Sequence, residues 1–194
     1  MRIEPANGLL DVARQVASPN HDERPPGSAP ELVVVHCISL PPGDFGGPHI
    51  ESLFTNCLDP DAHPYFAEIC GLEVSAHALI RRDGEIVQFV PFHRRAWHAG
   101  PSCYQGRERC NDFSVGIELE GTDDGDYEPV QYRQLVRLLR ALGDAYPTLD
   151  GAPLVGHSDI APGRKTDPGP GFDWTRLGTL LAADRAGEDT APPQ

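Results

Sequence analysis

The sequence predicts a single α/β domain in which a central mixed β-sheet is flanked by helices. Segments with strand-like and helix-like patterns alternate along the 194-residue chain, which is long enough to bury a sizeable core. A hairpin signal, Asp83-Gly84 between two apolar runs, interrupts this alternation, so an all-parallel sheet is not expected. No internal repeat and no second domain are evident.

The first half of the chain predicts two short helices, a buried strand and a hairpin. Residues 7–16 suit a short helix with Asn7 at its N-cap. The β-branched run at 31–36 predicts a buried strand with His36 at its C-terminal end. Residues 49–56 predict one or two helical turns, and the two arms of the hairpin cover 75–82 and 85–91.

The second half predicts two more strands and two longer helices. Residues 114–121 form a strand that places Glu118 and Glu120 on one face. Apolar residues at helical spacing predict a helix over about 129–146, and 153–157 reads as a short strand ending on His157. A last helix runs from Trp174 to about Arg185. We therefore expect a domain over 1–185 and a disordered tail over 186–194.

Composition and charge narrow the expected partners and location. The net charge of −13 disfavours nucleic acid and anionic membranes, and no stretch has the length of a membrane span. The N-terminus lacks the apolar run of a signal peptide, which favours the cytoplasm. Five cysteines without CxxC spacing favour reduced thiols over a disulfide scaffold or a four-cysteine zinc site. We expect a monomer that binds a small molecule.

Three predicted strands carry a polar side chain that a core strand would not favour: His36, Glu118 and His157. Buried polar groups need partners, and convergence on a metal would satisfy all three. With Asp167, the two histidines would supply zinc with two nitrogens and one oxygen, leaving one position for water. Glu118 would then act as general base, and Lys165 would stabilise the negative charge on the attacked carbonyl.

Each of these residues also has an ordinary structural explanation. A histidine at a strand end is more often hydrogen-bonded in the core, and Glu118 alone reads as a solvated strand residue. Lys165 fits a surface loop, and Asp167 before Pro168 fits a turn. The residues alone do not select Asp167 over Asp159. Trp97 and His98 follow the hairpin and line a pocket in one interpretation, although a core role for Trp97 is equally compatible.

The chain resembles the zinc N-acetylmuramoyl-L-alanine amidase superfamily, and most closely its cytoplasmic branch. The resemblance runs from about residue 7 to about residue 178 and rests on VVVHCISLPPGDFGGP, SAHALIRRDGEIVQFVPF, RAWHAG, YQGRERCNDFSVGIELEG and GHSDIAPGRKTDPGPGFDW. It implies that His36, His157 and Asp167 are the zinc ligands. It also implies that Glu118 is the catalytic acid/base and that Lys165 stabilises the transition state. Among the substrate contacts, it implies that Arg109 binds a stem carboxylate and that Trp97 lines the sugar cleft.

The resemblance also implies a reaction. The superfamily hydrolyses the amide between the lactyl group of muramic acid and the L-alanine of the stem peptide. Its cytoplasmic branch takes 1,6-anhydro-N-acetylmuramyl peptides during peptidoglycan recycling, so we expect a muropeptide substrate and Zn²⁺ as cofactor. Two alternatives remain at this point: a peptidoglycan-binding module without catalysis, and an amidase that acts on intact peptidoglycan.

Overall fold

The computed structural model describes residues 1–189 of the chain, which fold around a six-stranded sheet. Two of the strands have seven residues each and the others are shorter. In chain order they are β1 (Arg14–Gln15), β2 (Leu32–Ile38), β3 (Ala78–Ile80), β4 (Ile86–Gln88), β5 (Ser114–Glu120) and β6 (Leu154–Gly156).

The sheet is mixed, as the sequence predicts. Its strand order is β6-β2-β5-β3-β4-β1. The first four strands run parallel to one another, whereas β4 turns back antiparallel to β3 and pairs in parallel with β1. The predicted hairpin around Asp83-Gly84 is thus present and supplies the reversal. The carboxyl ends of β6, β2 and β5 consequently lie side by side.

Helices pack on both faces of the sheet. They are α1 (His49–Phe54), α2 (Pro64–Ile69), α3 (Pro129–Ala145), α4 (His157–Ile160) and α5 (Trp174–Asp189). Val33 and Val35 share a buried cluster with Leu135 and Leu138 of α3. Because side chains alternate along a strand, Leu32 and Val34 face the other way and pack against the 99–113 segment and α4. His36 continues this second row, so it projects on the sheet face opposite α3.

The prediction of a helix over residues 7–16 is wrong. The segment instead pairs Leu9–Leu10 with Ile3–Glu4, and Arg14–Gln15 joins the sheet as β1. Asn7 and Gly8 form the turn, because Gly8 adopts a φ of +68° and Asn7 accepts the backbone N–H of Leu9. The buried Gln88 side chain then binds the Gly8 carbonyl, so tertiary contacts outweigh local helix propensity.

The structure also differs from the prediction in one additional helix and in the ends of some elements. Helix α2 was not predicted, and strand β6 ends at Gly156, so that His157 begins α4 instead of closing the strand. Helix α5 continues to Asp189, past the predicted end at Arg185, and residues 190–194 of the predicted tail lie outside the described part. Over residues 1–189, no helix combines the length and hydropathy that a membrane span requires.

Candidate metal centre

The carboxyl ends of three neighbouring parallel strands bring the predicted site residues together. His36 lies near the end of β2, and Glu118 on β5 is its direct register partner. His157 follows β6 as the first residue of α4, and Asp167 lies in the loop after that helix. His36, His157 and Glu118 are all buried, whereas Asp167 is partly buried.

Three potential ligand atoms form a nearly equilateral triangle. The Nδ1 atoms of His36 and His157 are 3.0 Å apart, and they lie 3.0 and 3.1 Å from Oδ2 of Asp167. In a tetrahedral zinc site with bonds of about 2.0–2.1 Å, ligand atoms are about 3.3 Å apart. The group therefore has the spacing and the donor types of a site that can hold a metal ion.

The hydrogen-bond network assigns a free lone pair to Nδ1 of His157. Its other ring nitrogen, Nε2, lies 3.1 Å from the carbonyl oxygen of Ala99, which only accepts hydrogen bonds. Nε2 therefore carries the proton in the neutral ring, and Nδ1 presents its lone pair to the triangle.

His36 has the same assignment through a longer chain of hydrogen bonds. The Ser114 hydroxyl donates to the Cys110 carbonyl at 2.6 Å, so its oxygen accepts from Nε2–H of His98 at 3.0 Å. Nδ1 of His98 is then the acceptor for Nε2–H of His36 at 2.9 Å. Burial also lowers the pKa of His36 to about 4, which keeps this ring neutral near pH 7.

The arrangement fits a divalent cation. Two imidazole lone pairs and one carboxylate oxygen, all acceptors, face a common centre. The three acceptor atoms lie about 3 Å from one another. These acceptor atoms repel one another when nothing lies between them, and a positive ion at their centre attracts all three. Nitrogen and carboxylate oxygen are donors that zinc accepts.

Asp159, the alternative carboxylate that the residues alone left open, has a structural task. Its Oδ2 accepts the backbone N–H of Gly156 at 2.7 Å, which caps the start of α4. Asp167 and not Asp159 belongs to the group of potential ligands.

Glu118 lies beside this triangle with one oxygen unsatisfied. Its Oε2 is buried and has no hydrogen-bond partner among residues 1–189. Burial raises the pKa of this carboxyl well above its usual value, the nearby Asp167 carboxylate raises it further, and Lys165 lowers it in part. A buried carboxyl group with a raised pKa and an unpaired oxygen is suited to accept a proton and to release it.

The five residues open into one cleft of about 380 Å³. His36, Glu118, His157, Lys165 and Asp167 line its polar end, and His98 also reaches it. The rest of the lining is largely apolar and comes mainly from α1, α2 and the adjoining loops, with Leu40, Phe54, Tyr65, Ile69 and Leu72 among its residues. The cleft can therefore receive a ligand that has both a polar and an apolar part.

The two predicted substrate contacts do not line this cleft. Arg109 has a side chain that is 70% exposed, pairs with Asp112 at 3.2 Å and borders a separate groove beside Ser102. The Trp97 indole N–H donates to Asp22, and its backbone N–H donates to the hydroxyl of Ser75, a residue that lines the cleft. Both remain predictions as substrate contacts.

His98 does line the cleft, in agreement with the pocket interpretation, but its direct contact with His36 was not predicted. The one signal in the sequence is Gly116 itself, a glycine inside a predicted strand, which can mark a place where another group approaches the backbone closely. A Cβ on Gly116 would lie 2.4 Å from Cγ of the His98 ring, so only glycine leaves room for it.

Comparisons with known proteins agree with this geometry. Residues 26–170 match the family model described as N-acetylmuramoyl-L-alanine amidase. The 1,6-anhydro-N-acetylmuramyl-L-alanine amidase AmpD of Escherichia coli strain K12 is 63% identical over 177 residues, which cover 91% of this chain and 96% of that protein.

Two solved structures show the same fold. The crystal structure of a Se-Met AmpD derivative superposes with a TM-score of 0.89 at 60% identity and covers 93% of this chain and 99% of that one. The AmiD amidase of E. coli, in complex with anhydro-N-acetylmuramic acid-L-Ala-D-γ-Glu-L-Lys, has a TM-score of 0.52 at 31% identity, with coverage of 91% and 64%. The chain belongs to the N-acetylmuramoyl-L-alanine amidase family.

Proposed function

We propose that this protein is a zinc-dependent amidase that hydrolyses the lactyl–L-alanine amide of 1,6-anhydro-N-acetylmuramyl peptides in peptidoglycan recycling. The observation that carries the proposal is the convergence of two imidazole lone pairs and a carboxylate beside the unpaired carboxyl oxygen of Glu118. Family membership supports the reaction class, and the high identity to the E. coli enzyme supports the anhydro substrate.

His36, His157 and Asp167 would hold the zinc ion in this proposal. Bound there, zinc supplies Lewis acidity and lowers the pKa of water to about 7, which makes a nucleophile available at neutral pH. The two neutral rings and the single carboxylate leave the ion with a net positive charge. This charge is favourable beside a substrate whose carbonyl becomes negative during the reaction.

Glu118 would transfer the proton. Its unpaired Oε2 is free to accept a hydrogen from the attacking water, and the raised pKa of its carboxyl allows it to hold that proton. The same group then protonates the amide nitrogen of L-alanine as the C–N bond breaks. Burial of Glu118 excludes bulk water from this transfer.

Lys165 would stabilise the negative charge that develops on the carbonyl oxygen. It lies in the loop between α4 and Asp167 and lines the same cleft as Glu118. An ammonium group fixed near that oxygen stabilises the transition state more than the neutral ground state. Its exposed position allows the side chain to reach a bound substrate.

The substrate class follows from the relatives. The AmiD complex holds an anhydromuramyl tripeptide, which combines a sugar with a short charged peptide. A cleft with one polar end and one apolar wall is compatible with such a ligand. We further propose that a monomeric domain over residues 1–185 carries this activity, and that it acts in the cytoplasm.

A binding module without catalysis is less well supported. Recognition alone would not require a buried carboxyl without a partner, which is costly to the fold. It would also not require Lys165 beside a complete set of potential ligands.

The test is hydrolysis of a purified anhydromuramyl tripeptide, followed by chromatography of the released peptide. We expect zinc-loaded protein to release it, a chelator to abolish release, and added zinc to restore it. A parallel assay with the non-anhydro muropeptide and with intact peptidoglycan separates recycling from wall hydrolysis. Tight muropeptide binding by zinc-loaded protein without any release would favour the binding module instead.

A further inference from the structure

We propose that His98 and Asn111 are positioning residues that orient both histidines of the metal centre for zinc. The inference rests on the proposed function, because it concerns how this chain prepares the ring nitrogens that would hold the ion. Neither residue belongs to the proposed ligand set or to the proposed proton transfer. Their effect passes through the segment His98–Ala99.

This one segment contacts the outer nitrogen of each ring. The His98 side chain accepts from Nε2–H of His36 at 2.9 Å, and the carbonyl of the next residue, Ala99, accepts from Nε2–H of His157 at 3.1 Å. Both contacts place the ring proton on Nε2, so both lone pairs at Nδ1 point inward. A metal-ligating histidine commonly needs such a partner to fix its tautomer and ring plane.

Asn111 fixes the segment itself. Its Oδ1 accepts the backbone N–H of His98 at 3.1 Å and that of Ala99 at 2.8 Å. A single side-chain oxygen thereby sets the position of both contacts with the ligand rings. The backbone of Asn111 and of the next residue is anchored in turn, because Arg24 donates to the carbonyls of Asn111 and Asp112.

Two further features restrict the His98 ring. Gly116 supports it closely, since a Cβ there would lie 2.4 Å from its Cγ and 2.5 Å from its Nδ1. Ser114 accepts its Nε2–H at 3.0 Å. The ring is therefore held by its close contact with Gly116 and by hydrogen bonds at both of its nitrogens, which is more constraint than a space-filling histidine needs.

The experiment compares zinc affinity by competition with a chromophoric chelator. His98→Phe keeps a buried ring but removes the acceptor for His36, whereas His98→Asn retains an acceptor near the Nδ1 position. We expect zinc to bind about 10–100-fold more weakly to His98→Phe, and His98→Asn to recover most of that loss. Leu138→Ala, a core truncation in α3 on the other face of the sheet, controls for lost stability.

A second pair of variants tests the two hydrogen bonds that the Asn111 side chain accepts. Asn111→Ala loses both hydrogen bonds and is expected to weaken zinc binding, while Asn111→Asp keeps an acceptor and is expected to preserve it. Long-range ¹H–¹⁵N spectra of the metal-free proteins report the tautomers directly. Wild type should show His36 and His157 protonated at Nε2, and His98→Phe should show a mixture at His36.

The outcomes separate this inference from the proposed function. Failure of wild type to bind zinc overturns the proposed function. Wild-type zinc affinity in both His98→Phe and Asn111→Ala, with an unchanged His36 tautomer, overturns only the positioning role. If His98→Phe does not fold, the Asn111 pair decides: weaker binding by Asn111→Ala than by Asn111→Asp supports the role, and equal binding rejects it.

Discussion

Glu118 is the register partner of His36 in the parallel pairing of β5 with β2. Partners in such a pair project from the same face of the sheet, so the carboxyl lies next to the potential metal ligands. Its Oε2 nevertheless bonds to nothing among the described residues. The fold thus retains a desolvated acid that contributes little to its own stability, which is characteristic of a functional residue.

The first prediction concerns Glu118→Gln, which keeps the shape of the side chain and removes its ability to take a proton. We expect turnover of the anhydromuramyl tripeptide to fall by about 10²–10⁴-fold, the usual range for a lost general base. Zinc content should remain that of wild type. The free energy of unfolding should not decrease, because a buried ionisable group is lost. Near-normal turnover with retained zinc would exclude the role of Glu118.

The second prediction concerns Lys165. Lys165→Met removes the ammonium group but keeps a long side chain, and we expect kcat to fall by about 10²–10³-fold. Affinity for the uncleaved tripeptide should change much less, because the charge is needed mainly in the transition state. Lys165→Arg serves as the control and should retain part of the activity. A variant with raised KM and unaltered kcat would show that Lys165 only binds substrate.

The third prediction concerns the loop that carries Asp167. Gly169 and Gly163 lie in this loop at nearly the same φ, +76° and +77°. A Cβ at Gly169 would lie 2.3 Å from the Asp123 carbonyl oxygen, whereas a Cβ at Gly163 meets nothing within 4 Å. Both alanine variants incur a left-handed backbone penalty of roughly 1–2 kcal/mol. Only Gly169→Ala must also displace the loop.

Zinc titration therefore distinguishes the two variants. Gly169→Ala should bind zinc more weakly, on the order of 10-fold, since Asp167 lies two positions earlier in the chain. Gly163→Ala should bind as wild type does, with a similar backbone penalty. Equal affinity in both variants would show that the position of Asp167 does not depend on packing against Asp123.

The parts of the fold that could be predicted from sequence are those with a strong local pattern. The β-branched run ending at His36 predicted one of the two long strands, and the alternation around Glu118 predicted the other and the face that Glu118 shares with Glu120. The segment at 7–16 had an equally plausible helical pattern. Its strand pairing depends on Gln88, which is far away in sequence, and local propensity does not contain that contact.

The proposed ligands and catalytic residues of the site could be predicted from the sequence. The residues that contact and position them were harder to predict. Resemblance to known amidases selected Asp167, and the structure gives the reason that Asp159 is excluded: it caps α4. Arg109 lies on a loop whose path depends on packing, and it borders a different groove. The link between His98 and His36 required knowing that the 97–99 segment crosses over Gly116.

The last prediction concerns how the stability of the fold depends on pH through a cluster of ion pairs. In this cluster Glu51 binds Arg14 and Arg81, and Arg81 also binds Glu120. Glu51 binds Arg14 at 2.7 Å and the buried Arg81 at 2.7 Å, and the hydrogen bonds from Arg14 are the main reason that its pKa falls to about 2. A carboxyl whose pKa is lower in the folded than in the unfolded state stabilises the fold above its unfolded value, about 4.5. That stabilisation disappears as the pH falls toward 2.

We therefore expect Glu51→Gln to lower the free energy of unfolding by about 2 kcal/mol at pH 7. The difference from wild type should shrink steadily between pH 5 and pH 3, as measured by urea unfolding at each pH. Glu85→Gln is the control, because Glu85 pairs with the same two arginines but is more exposed, so its loss should be smaller at pH 7. A difference for Glu51→Gln that stays constant from pH 7 to pH 3 would mean that the carboxylate charge does not stabilise this cluster.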